Sequence, residues 1–101
     1  MDRNNERFSY VVRSAAVADV VQAAVKTVSY VALCDTRRVR VRQRENEAVV
    51  TIRIAVQEGK SVRTAALQVQ QAVVRALQSL PTATRWTVQV KVEDLFPEAA
   101  G

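Results

Sequence analysis

The chain has 101 residues, 49% of them hydrophobic and only 5% aromatic, which suffices for one core and not for two. It contains no histidine and a single cysteine, Cys34, which excludes a disulfide framework or an ordinary zinc site built from one chain. Fifteen Lys and Arg against ten Asp and Glu leave a net charge of +5, a balance that suits polyanionic partners.

Residues 1 to 7 are polar, lack periodicity and read as a disordered terminus. One α+β domain is expected from residue 8 to 95, followed by a short tail at 96 to 101. Phe8, Tyr10 and Val12 alternate as a first strand, and Ser14 is the candidate N-cap of a first helix. Val17, Val20, Val21, Ala24, Val28 and Val31 then share one helical face, with the helix expected to end near Ser29 or Tyr30. The run Tyr30-Val31-Ala32-Leu33 fits an extended segment as well as a helical one.

From Thr36 to Arg44 valine alternates with arginine, the pattern of a half-buried strand. Arg44-Glu45-Asn46-Glu47 is short and polar, so it reads as the loop of an antiparallel hairpin. The next strand covers residues 48 to 56, with Val50, Ile52, Ile54 and Val56 on one face and Val49, Thr51, Arg53 and Ala55 on the other. After Gly59, Ser61 is a plausible cap for a second helix whose apolar stripe is Val62, Ala66, Val69, Val73, Ala76 and Leu80. Pro81 ends it near Ser79 or Leu80. Trp86, Val88, Val90 and Val92 alternate with polar residues in a last strand.

The order is βαββαβ. Each helix has one apolar stripe and each strand one apolar face, so the expected fold is a two-layer sandwich, a four-stranded, mainly antiparallel sheet with both helices on one face. A ferredoxin-like split βαββαβ is the commonest threading of that order.

On the uncovered face, Arg38, Arg40, Arg42 and Arg44 form a row, with Arg53 on the neighbouring strand beside them and Thr87, Gln89 and Lys91 also outward. Such a surface can track a phosphate backbone. It is also what a solvated sheet face and an aggregation-resistant edge require, with Glu45 and Glu47 partly neutralising the row, and this is the favoured reading. Base-stacking aromatic residues, which sheet-face RNA readers use, are missing from residues 48 to 56. On the second helix, Leu67 and Val74 lie round from the core stripe beside Arg63 and Gln70, and mark a candidate contact with a partner or a second copy.

Nothing in the chain resembles an active site. The carboxylates are scattered, no glycine-rich phosphate loop exists, and no histidine is available to activate Cys34. No enzymatic activity, cofactor or metal is expected. With no charged-then-apolar leader and no apolar run near the ~20 residues of a membrane span, the expected location is cytoplasmic.

The strand ending at Val56, the turn Gly59-Lys60-Ser61-Val62, Val69-Gln70, the run Ala72-Val73-Val74-Arg75-Ala76-Leu77 and the segment Val88-Gln89-Val90-Lys91-Val92-Glu93-Asp94-Leu95 together resemble the alkaline shock protein twenty-three family. The resemblance covers roughly residues 8 to 95. It implies a small cytoplasmic bacterial α+β protein of the envelope stress response, non-enzymatic, self-associating or held at the inner membrane face by a membrane-anchored partner. The chain departs from the family pattern where Ser29-Tyr30-Val31 replaces a customary glycine, and it is basic where family members are often acidic. A structural or interaction protein of that type is the expected function. The alternative is a small basic module that binds nucleic acid through the arginine strand.

Overall fold

The computed structural model describes residues 12 to 34 and 38 to 98, so the strand expected at residues 8 to 12 lies, apart from Val12, outside the described residues. Helix α1 (Ser14–Val25) comes first. Its N-cap is Arg13, with extended backbone and no side-chain cap. Ser14, expected as the cap, is instead the first helical residue, and its hydroxyl accepts from Gln43 Nε2 at 3.1 Å while the same amide donates to the Val12 carbonyl at 3.0 Å.

α1 stops at Val25, short of the expected Ser29 or Tyr30. The reason is local. The Thr27 and Val28 amides donate three residues back to the Ala24 and Val25 carbonyls, the Thr27 hydroxyl adds a 2.7 Å bond to Ala24, and Tyr30 takes a left-handed φ of 66°, so the helix tightens and turns. The extended alternative for the next residues is the one realised, as β1 (Val31–Leu33).

β1 and β2 (Val39–Arg44) lie end to end along one side of the central strand β3 (Glu47–Gln57), both antiparallel to it. The Cys34 amide donates to the Arg53 carbonyl at 3.0 Å, and the Arg53 amide donates to the Arg38 carbonyl at 2.9 Å. The two short strands therefore follow one another along the same side of β3. β2 turns into β3 through Glu45 and Asn46, with Glu45 at φ 52°. On the other side of β3, β4 (Arg85–Phe96) runs parallel, from Glu47 opposite Arg85 to Gln57 opposite Phe96. A register shift at Ile54/Ala55 leaves Glu93 as the extra residue of a bulge.

Helix α2 (Val62–Gln78) connects β3 to β4, as a parallel pair requires. Ser61 caps it, its Oγ accepting from the Thr64 amide at 3.2 Å, and Ser79 is its C-cap. Its buried row is Ala65, Val69, Val73 and Leu77, rotated from the expected stripe that began at Val62, which is exposed. Because α2 packs against α1 as well as against the sheet, the row that points between those two neighbours becomes the core, and it follows the i, i+4 ridge.

Ala48, Val50, Ile52, Ile54 and Val56 of β3 face both helices and are almost wholly buried, joined by Val17, Val21 and Val25 of α1 and Val88 of β4. The fold is α+β, with helices on one face of a four-stranded mixed sheet. No described residue outside the sheet covers the other face, here called the open face.

Candidate functional site

Because β3 is covered on one face, every odd-numbered residue from Val49 to Ala55 must look the other way. The cross-strand register then assembles the open face in rows. Arg44, Glu47 and Arg85 form one; Arg42, Val49 and Thr87 the next; Arg40, Thr51 and Gln89 the third. Arg53 pairs with Lys91, and the Arg38 carbonyl accepts from Arg53 beside them.

Arg38, Arg40, Arg42, Arg44 and Arg53 thus come together on one surface, as their alternation with valine predicts. Arg85 joins them, because β4 begins one residue earlier than the alternation from Trp86 predicts. Its place two residues before Thr87 is the signal that identifies it. Lys91 completes a set of seven cations.

Alternate residues on a strand are roughly 6.8 Å apart and neighbouring strands roughly 4.8 Å. The row from Arg38 to Arg44 therefore spans roughly 20 Å. Arg40, Arg42, Arg44, Arg53, Gln89 and Lys91 line a shallow concavity of about 760 Å³. Two contacts organise its floor. Thr51 Oγ1 donates to Gln89 Oε1 at 3.4 Å, and the Arg53 guanidinium lies 3.4 Å from the Glu93 carboxylate, side chains that remain 27% and 40% exposed. Such a partly solvated pair is worth under about 1 kcal/mol, so it orients Arg53 more than it neutralises the face. Arg40, Arg42 and Arg44 are exposed.

The second predicted site is only partly assembled. Arg63, Leu67 and Gln70 lie together on the flank of α2, over a groove whose floor is Val88, Gln89 and Val90 of β4. Leu67 is 46% exposed. Val74, expected as its exposed partner, is half-buried and packed against the core, because the rotation of α2 that buries Leu77 also turns Val74 inward. Gln70 Nε2 donates to the Val88 carbonyl at 3.2 Å.

A third depression lies between the end of α1 and the start of α2, lined by Tyr30, Lys60, Thr64, Gln68 and Arg75 among others. Lys60 Nζ sits 4.1 Å from the centroid of the Tyr30 ring, a cation–π contact. Cys34 is half-buried at the end of β1. Among the described residues no three of His, Cys, Asp and Glu gather as metal ligands would, and no helix is long and apolar enough to cross a membrane.

Comparison of the chain with protein families, with characterised proteins and with solved structures finds no match.

Proposed function

We propose that this chain is a non-enzymatic interaction protein whose open sheet face binds the phosphate backbone of a nucleic acid. The observation that carries the reading is the convergence of Arg38, Arg40, Arg42, Arg44, Arg53, Arg85 and Lys91 on one face that no described residue covers, with Glu47, Glu93 and Asp94 as the acidic residues among them. Six of the seven are arginines, whose planar forks engage phosphate oxygens bidentately. Arginines roughly 6.8 Å apart on β2 are spaced widely enough to engage separate phosphates of a strand laid along them.

The inner rows carry Val49, Thr51, Thr87 and Gln89 rather than aromatic rings. Binding is therefore through backbone charge, without base stacking, and blind to sequence. The test is a fluorescence titration of labelled single-stranded RNA and duplex DNA with the wild type and with an Arg40→Gln/Arg42→Gln/Arg44→Gln variant. Binding to both nucleic acids, weakened in the variant while circular dichroism is unchanged, supports the reading; equal affinities for wild type and variant reject it.

A second reading keeps the envelope-stress resemblance, with a protein partner, membrane-anchored at the inner face, docked on the flank of α2. Leu67 favours it, as an exposed leucine in a groove. Pull-down with Leu67→Glu as the control tests it: a partner retained by the wild type and lost by the variant supports docking there.

A further inference from the structure

The side of β4 turned away from β3, which no described strand pairs and which is here called its free side, is a feature that polyanion binding does not use. β3 pairs with one side of this twelve-residue strand, and no strand among the described residues pairs with the other. An unpaired strand edge is a template for another chain, and proteins blunt such edges with bulges or charges. Here the bulge lies at Glu93, near one end, and residues 85 to 92 run regularly. The Val88 carbonyl, which accepts from Gln70, points away from β3. By strand alternation the N–H and C=O groups of Trp86, Val88, Val90 and Val92 all point to the free side.

We infer that two copies of this chain join β4 to β4 in antiparallel fashion, about a two-fold axis at Gln89. The charges of the strand select the second copy as the occupant and also select the register. With Gln89 opposite itself, Arg85 of each copy faces Glu93 of the other, whose carboxylate then lies between that Arg85 and Arg53 of its own chain, while Thr87 faces Lys91, Trp86 faces Val92 and Val88 faces Val90. Opposite charges and aromatic or β-branched residues are thus matched cross-strand. Sliding by two residues one way sets Arg85 against Lys91, and sliding the other way sets it against Leu95. A shift by one residue turns the apolar face of one copy toward the charged face of the other. Of these registers, the one centred on Gln89 sets opposite charges against each other and keeps the apolar faces together.

The same axis brings the two α2 flanks together near Leu67, so the exposed leucine and the open edge are covered by one event. On pairing, the Val88 carbonyl exchanges the Gln70 amide for the Val90 N–H of the second copy. The two-fold stands perpendicular to the sheet, so both open faces lie on the same side and the basic surface doubles. The inference stands on the edge and its charges, and it holds whether or not the basic face binds nucleic acid.

Sedimentation of the full chain over a range of concentrations, without nucleic acid, tests it. The wild type is expected to show a monomer–dimer equilibrium. Arg85→Glu and Glu93→Arg, each alone, set like charges opposite one another twice per dimer and should raise the dissociation constant roughly tenfold or more. Mixing the two variants in equal amounts should restore wild-type dimerisation, because every cross-strand charge pair is again complementary in the heterodimer. A misfolded variant cannot be rescued by mixing. Leu67→Glu, remote from those charges, should weaken the dimer as well. A strict monomer at every concentration, or a dimer indifferent to both charge reversals, overturns the proposal.

Discussion

Ile54→Ala removes a side chain at the centre of the sheet. Ile54 is fully buried, stands between Leu33 on β1 and Val92 on β4, and faces the helices. Truncation forfeits about 0.8 kcal/mol for each carbon removed, roughly 2.4 kcal/mol in all. Its neighbours are held by strand pairing on both sides and relax little, so a residual cavity adds to the loss and brings it to about 3 to 4 kcal/mol. Urea denaturation followed by circular dichroism measures the effect as a lower midpoint at unchanged slope. Thr51→Ala on the opposite face is the control, with an expected loss within about 1 kcal/mol. A loss below about 1 kcal/mol for Ile54→Ala, or a larger one for the control, would mean that the faces of β3 are assigned backwards.

Glu45 occupies a left-handed position in the β2–β3 turn, which costs a side-chain-bearing residue roughly 1 to 2 kcal/mol. Glu45→Gly is expected to raise the denaturation midpoint by a gain of up to about 1 kcal/mol, since glycine recovers the strain and loses some of it again to unfolded-state entropy. Arg53→Gln breaks the ion pair with Glu93 and should change stability by less than about 1 kcal/mol in the same melts. It should nevertheless weaken nucleic-acid binding, which separates the role of the arginine on the open face from any role in holding the fold.

Where one neighbour decided the structure, it was legible in the sequence. The faces of β3 follow from strict alternation over Val50, Ile52, Ile54 and Val56, and the limits of α2 follow from Ser61 and Pro81, because caps and breakers act through local hydrogen bonds. Where a residue answers to two neighbours, periodicity did not resolve it. The core row of α2 is set by α1 and the sheet together, which moved Leu77 in and Val62 out, and with that turn Val74 ceased to be a surface residue. The end of α1 depended on Tyr30 taking a left-handed conformation, where glycine would be the usual choice. A tyrosine there gives no sign of a turn, yet its ring lies beneath Lys60 and its carbonyl accepts from Gln57 at 3.0 Å. The arginine row was legible from the β2 alternation alone. Alternation with Thr87, Gln89 and Lys91 also puts Arg85 on the polar face of β4, but its position beside Glu47 and Arg44 depends on the parallel register of β4 with β3, a long-range pairing that no local pattern encodes.

The salt dependence of nucleic-acid binding tests the central claim most directly. Each phosphate neutralised by the open face contributes roughly 0.9 to the slope of log K against log salt for duplex DNA and roughly 0.7 for a single strand. Arg40→Gln/Arg42→Gln/Arg44→Gln removes three of the seven cations on the face, so the wild-type slope on duplex DNA should fall by roughly 2 to 3 units as the affinity drops. The affinity should also be indifferent to base sequence. A slope unchanged by the triple substitution, or no binding by the wild type even at low salt, would contradict the account and leave the arginine row as a solvated, aggregation-resistant face.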